Sequence, residues 1–107
     1  MKVITTEELK KKIDAQERFY LIDVLAPESY AARHVPTALN VRKGPDFVER
    51  FDQEASAQKD AEIIVYCSSA TCMASVLCGE QLEAAGYTNV VHYQDGLAGW
   101  FTNVPVK

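Results

Sequence analysis

The sequence predicts an α/β domain built on a parallel sheet that helices cover on both faces. Two observations predict it. Short apolar runs alternate with amphipathic stretches of about ten residues, the spacing of strand–helix–strand units. The runs are apolar almost throughout instead of alternating with polar residues, which marks strands buried on both sides. A length of 107 residues suits one domain with a modest core.

The elements follow in order. Thr5 or Thr6 caps a first helix, with Glu8 placed to complete a capping box. Leu9 and Ile13, four apart, share its inner face. Residues 19–24 read as a buried strand, FYLIDV. Pro27 opens a short helical turn carrying Tyr30 and Ala31, and Pro36 breaks the chain before a short strand over 38–41. Gly44-Pro45 is a turn, and Phe47, Val48 and Phe51 mark one side of a short helix. Residues 63–66, IIVY, form the central strand, since three of the four are β-branched. A helix from about 73 to 85 turns Val76, Leu77 and Leu82 inward, approaches the sheet closely at Gly79 and stops at Gly86. Residues 90–93 are the last strand. Asp95-Gly96 then turns the chain into a helical turn ending at Trp100, whose indole anchors it on the sheet.

Composition excludes several classes of function. Net charge is −4 with no basic run, which excludes a nucleic-acid surface. No apolar stretch approaches the ~20 residues that span a bilayer, and the N-terminus turns polar and acidic at once, unlike a secretory signal. Three cysteines cannot all pair within one chain, so the expectation is a reducing, cytoplasmic compartment. Those cysteines with His34 and His92 show no metal-ligand spacing, so neither metal nor cofactor is expected.

Cys67 is the residue that points to chemistry. It stands between the central strand and the start of the next helix, where unpartnered backbone N–H groups and the helix dipole favour thiolate over thiol. The ends of parallel strands are also where ligands bind in such sheets. Ser68, Ser69, Ala70 and Thr71 are small enough to let amides point inward, and three of them add hydroxyls. Cys72, five positions on, is a small residue at a helix start, a resolving thiol, or half of a disulfide with Cys67. Cys78 reads as packing, His34 as a structural hydrogen-bonding histidine, and Asp23 as a turn acid or a brace for the loop amides.

Four segments resemble the rhodanese-like family across nearly the whole chain. They are Leu21-Ile22-Asp23-Val24 with residues 28–40, the strand ending Val65-Tyr66-Cys67, residues 83–90 (EAAGYTNV), and residues 95–100 (DGLAGW). The resemblance implies a single domain over residues 1–107. It implies a three-layer α/β/α sandwich with a mostly parallel central sheet of about five strands. It also implies a sulfurtransferase. Cys67 would take sulfane sulfur as a persulfide from thiosulfate or a thiol persulfide and hand it to a small thiophile, a thiol or a partner protein. Ser68, Ser69, Ala70, Thr71, Cys72 and Met73 would form the loop that cradles that sulfur.

The chain also departs from the family. Leu25 stands where arginine is usual, and Arg33 and Thr37 stand where glycines are usual. Counted back from Gly86, the loop is about two residues longer than usual and holds neither glycine nor arginine. It resembles a less common branch with a Cys-x4-Cys loop. Without an arginine at the loop's end, phosphatase or arsenate chemistry lacks its oxyanion clamp. Arg33, which is expected to line the site, and Arg42 and Lys43 are the cations left to face an anionic donor. Two other functions remain open at this level. One is a binding or regulatory module that lost efficient turnover, and the other is a thiol-redox protein using Cys67 and Cys72.

Overall fold

The computed structural model describes residues 1–69 and 71–103. Five strands, β1 (Lys2–Ile4), β2 (Tyr20–Asp23), β3 (Leu39–Asn40), β4 (Ile63–Tyr66) and β5 (Val90–Tyr93), form one sheet in the order β1-β5-β4-β2-β3. Every pairing is parallel. Five helices connect them: α1 (Thr6–Asp14), α2 (Pro27–Ala32), α3 (Phe47–Ala55), α4 (Ala74–Ala84) and α5 (Gly96–Asn103).

Side chains of the central strands alternate between two cores. Ile22, Ile63, Val65 and Val90 pack with Phe47 and Phe51 of α3 and Cys78 and Leu82 of α4. Leu21, Ile64, Tyr66, Val91 and Tyr93 pack with Leu9 of α1 and Leu97 and Trp100 of α5. Both faces are therefore dry, as the continuous apolar runs require.

Most boundaries follow from local chemistry. The Thr5 side chain accepts the Glu8 amide at 3.2 Å, and Glu8 Oε1 accepts the Thr5 amide at 3.0 Å, a complete capping box. At the end of α4, Gly86 takes a φ of +100°. Its amide reaches the Glu83 carbonyl and the Tyr87 amide reaches Leu82, closing the helix by a Schellman pair.

Three expectations change. The residue pattern named no strand before the first helix, yet β1 pairs with β5. Three residues with two exposed side chains carry too little apolar signal to be seen without a partner. Leu77 does not face inward: it is 58% exposed, and Val76 is half-buried, while Cys78 and Leu82 take the inner face of α4. At Gly79 an added Cβ would lie 2.3 Å from the Met1 sulfur and 3.5 Å from a Val65 methyl. The N-terminus, as much as the sheet, sets that close approach.

The strand order places the site. From β2 the chain moves outward to β3, whereas from β4 it moves the opposite way to β5. The crevice beyond the carboxyl ends of β2 and β4 is thus the topological switch point, where such sheets bind ligands.

Candidate active site at the end of the central strand

Cys67 follows β4 directly and is 1% exposed. Its thiol donates to the Cys72 carbonyl at 3.2 Å. The Ser75 hydroxyl lies 3.3 Å from the sulfur, and the Ser75 amide also bonds it. Burial pushes the Cys67 thiol up, as does its contact with the Cys72 sulfur, and the Ser75 bonds recover only part of this. The expected open position of Cys67 is therefore not found: the side chain is 1% exposed, and its burial favours thiol over thiolate.

The converging amides are shared: that of Ser75 meets Cys67, and those of Ser68 and Ala74 meet Cys72. Burial raises the Cys72 thiol. The hydrogen bond from Cys67, the amides of Ala74 and Ser68, and the Ser68 hydroxyl together outweigh it and hold Cys72 below the ordinary thiol range. Cys72 is half-buried and its own amide donates to the Ser69 carbonyl at 3.1 Å. All three cysteines are free thiols. Of the adjacent pair, the outer sulfur is the one whose surroundings favour thiolate.

Cys72 opens on a cavity of about 220 Å³ at the switch point, lined by Val24, Leu25 and Ala26 after β2, by Arg42 and Lys43 after β3, and by Ala74. Lys43 and Ala74 also line a second, larger groove of about 620 Å³ running along α4 past Leu77 and Gln81. Arg42 is partly engaged, with a guanidinium nitrogen 3.6 Å from the Asp46 carboxylate. Lys43 is exposed. These are the cations the cavity offers.

Other residues named from the sequence fall in different places. Arg33 is not in the site: its guanidinium lies over the Phe101 ring at 4.8 Å, on the α1/α5 side of the sheet. Met73 is the N-cap of α4 and is 59% exposed. Ser69 and Thr71 bond each other through their hydroxyls at 3.1 Å instead of facing a sulfur. Ala70 lies outside the described residues. Cys78 is buried in the α3/α4 core, and burial raises its thiol to about 12.

The remaining walls are rigid. The amides of Leu97 and Ala98, opening α5, donate to the carbonyls of Cys67 at 2.9 Å and Ser68 at 2.8 Å. This docking requires Gly96, where φ is +66° and an added Cβ would stand 2.6 Å from the Cys67 carbonyl oxygen. On the β2 side, Asp23 accepts the Leu25 amide at 2.8 Å and the Tyr66 hydroxyl at 2.7 Å. Asn40 ties down the carbonyls of Asp23 and Leu25. Asp23 therefore braces the wall after β2 and does not touch the cysteine loop. His34 stacks on Tyr30 at 3.8 Å and bonds its carbonyl at 2.8 Å, a structural histidine.

Two residues of the site were not foreseen. Ser75 is fully buried beside Cys67, and His92 Nε2 lies 2.9 Å from its hydroxyl. The signal for His92 was a histidine inside the otherwise apolar strand VVHY, because a buried imidazole needs a polar partner.

The comparisons agree with this architecture. A family model described as "Rhodanese-like domain" matches residues 5–103. The Bacillus subtilis (strain 168) protein named "Putative sulfurtransferase YtwF" is 34% identical over 102 residues, covering 94% of this chain and 90% of that protein. "Adenylyltransferase and sulfurtransferase UBA4" of Candida albicans is 29% identical over 97% of this chain, which matches only 24% of that longer protein. A solved rhodanese-like domain protein from Staphylococcus aureus is 28% identical with a TM-score of 0.76, covering 100% of this chain and 99% of that one. The single-domain sulfurtransferase RDL2 of Saccharomyces cerevisiae, 20% identical, shares the fold with a TM-score of 0.79 over 96% of this chain and 90% of its own. With the strand order and the cysteine after β4 already in place, a match over nearly every residue leads to one conclusion: the chain belongs to the rhodanese-like domain family.

Proposed function

We propose that this protein is a sulfurtransferase in which a pair of thiols, Cys72 outside and Cys67 inside, moves sulfane sulfur as a persulfide. The observation that carries the reading is the pair itself. A half-buried thiol held below the ordinary thiol range faces a cavity with two cations, and a buried thiol raised above that range lies directly behind it.

The steps balance without an added oxidant or reductant. The Cys72 thiolate attacks the outer sulfur of a donor R–S–SH, or of thiosulfate. A new S–S bond forms, the donor's S–S bond breaks, and R–S⁻ (or sulfite) leaves. Cys67, once deprotonated, attacks the outer sulfur of Cys72–S–SH. Cys67–S–SH forms and the Cys72 thiolate is released. A small thiol or a protein thiolate then removes that sulfur and restores Cys67. Route and closure are linked: with Cys67 1% exposed, transfer through Cys72 loads it without opening the loop, which opens only when an acceptor takes the sulfur. Lys43 and Arg42 supply the positive charge that the loop itself lacks, which favours an anionic donor.

The test is intact mass after incubation with glutathione persulfide or thiosulfate. A gain of about 32 Da in the wild type supports the reading. Loading of Cys67 should be at least about tenfold slower in Cys72→Ser. In Cys67→Ala, sulfur should stop at Cys72 and fail to reach an acceptor. No mass gain with either donor would overturn the proposal. A loss of about 2 Da under mild oxidation, with no gain from donors, would instead mark a thiol-redox protein.

A further inference from the structure

The sulfur route leaves one problem, which the structure answers with two residues outside the cysteine loop. When Cys72 carries sulfur its thiolate is no longer free, and the buried thiol of Cys67 has no proton acceptor in the loop. Behind Cys67, on the α4 side of the sheet, Ser75 lies 3.3 Å from its sulfur and His92 Nε2 lies 2.9 Å from the Ser75 hydroxyl. Ser75 is 0% exposed and His92 is 8% exposed. Nδ1, the other imidazole nitrogen, has no partner among the described residues. No buried side-chain nitrogen or oxygen there lacks a partner, so Nδ1 sits on the water-touching edge of the ring. The three residues thus form a continuous chain from a sealed thiol to solvent.

We propose that Ser75 and His92 are a proton relay for Cys67: His92, acting through the Ser75 hydroxyl, takes the thiol proton during sulfur transfer. The inference rests on the reading of Cys67 as a sulfur carrier. The transfer releases one proton: as Cys67 takes the outer sulfur of Cys72–S–SH, Cys72 leaves as thiolate and the Cys67 proton passes to the relay. The Cys67 S–H bond breaks and sulfur keeps its electron pair. That proton joins Ser75 Oγ as the Ser75 hydroxyl proton passes to Nε2. The imidazolium then releases a proton to water from Nδ1. The two contacts can run in either direction. With Nε2 protonated, the imidazole donates to Ser75 and Ser75 donates to sulfur. With Nδ1 protonated, Nε2 is bare and the chain is ready to accept.

Burial holds the imidazole below the ordinary histidine range, so it is neutral and able to take a proton at neutral pH. The groups around it leave that role to it. In the cysteine loop Cys72 is the other thiol, and on α4 Cys78 is too strongly raised to ionise. Toward β1, the terminal ammonium is paired with Glu83 at 3.5 Å. Before α5, the Asp95 carboxylate accepts from Thr6 at 3.1 Å.

Ser75 and His92 touch no substrate, so they are positioning residues and their test needs more than a lost rate. Single-turnover transfer from Cys72 to Cys67 is followed by mass against pH in the wild type, His92→Gln and Ser75→Ala. Glutamine keeps a hydrogen-bonding group at the site but takes no proton. The expected result is a rate about 10²-fold lower in His92→Gln, with the wild-type rise on the acid side of the ordinary histidine range abolished. Ser75→Ala should be similarly slow, and the double variant no slower than either single one. A second readout is the ultraviolet thiolate titration of Cys67 in a Cys72→Ser, Cys78→Ser background. Its midpoint should move upward on adding His92→Gln. A wild-type rate and pH profile in His92→Gln would overturn the relay while leaving the sulfur carrier intact. A shifted titration in a protein that never accepts sulfur would overturn the carrier while leaving the relay.

Discussion

The last residue of β4 and the residue after it are neighbours in sequence, and they face opposite cores. Tyr66 points to the α1/α5 side, where its hydroxyl donates to Asp23 at 2.7 Å and accepts the Val35 amide at 3.1 Å. Cys67 points to the α3/α4 side, where its partners are the carbonyl and thiol of Cys72, a serine and, through it, a histidine. The first arrangement is a lock in which carboxylate, hydroxyl and amide are held by fixed partners. The second holds groups that can each take or give a proton and ends at a cavity. Burial alone does not separate structure from chemistry here, since both residues are almost fully buried. What separates them is whether the buried polar chain is closed or leads out.

The largest expected effects break one side and spare the other. Cys67→Ala should reduce delivery of sulfur to an acceptor by at least about 10³-fold, while costing about 1 kcal/mol of stability. Tyr66→Phe should do the reverse. It leaves Asp23 Oδ2 and the Val35 amide without their hydroxyl partner, while Oδ1 keeps the Leu25 amide, at a cost of about 2–3 kcal/mol, or about 10–20 °C in Tm. Transfer per folded molecule should stay within about threefold of wild type. If Tyr66→Phe abolished transfer while folded, the two sides would be one network and the contrast would fail.

Tyr66→Phe also carries a pH signature. Burial raises Asp23 above the usual 3.8, so the stability it contributes is complete below that value and is lost as pH rises through the raised folded one. The Tyr66 hydrogen bond opposes the shift, so removing it should steepen the loss of stability above pH 3.8. Chemical denaturation across acidic pH measures this directly. A variant whose slope is no steeper than wild type would show that Tyr66 does not stabilise the carboxylate.

Gly96→Ala tests the joint between the two sides. A Cβ at φ +66° would stand 2.6 Å from the Cys67 carbonyl and 2.9 Å from the Ser69 amide, so α5 or the loop must shift. The expected cost is about 1–3 kcal/mol, with a roughly tenfold slower transfer because the two sulfurs lose their alignment. A crystal structure of the variant with loop and rate unchanged would show that α5 does not position the cysteines.

The architecture was legible because its signals are local. The capping box at Thr5, the apolar runs of β2, β4 and β5 and the Gly86 stop each sit within a few residues of the feature they cause. The site was legible only in part. Position after a strand marked Cys67, and sequence distance marked Cys72, but which sulfur each amide meets depends on how the loop turns. Arg33 shows the same limit, since its helix end lies over Phe101 on the far side of the sheet. Ser75 and His92 are 17 residues apart and meet only because α4 packs across β5. Leu77 misled because its hydrophobicity was read as burial, although it is the rim of a groove.

Lys43→Gln sharpens the comparison at the mouth of the reactive side. With no cation in the loop, Lys43 and the partly paired Arg42 are what the cavity presents to a charged donor. Lys43 is exposed, and an exposed charge acts on an anion mainly through capture, weakened by salt. The expected change is therefore small and specific. KM for thiosulfate should rise about three- to tenfold with kcat nearly unchanged, and the difference should shrink as salt is added. A neutral alkyl persulfide should respond by less than about twofold. If kcat fell instead, Lys43 would be acting on the departing sulfite and not on capture. The cavity wall would then belong to the chemistry in the way the cysteine pair does.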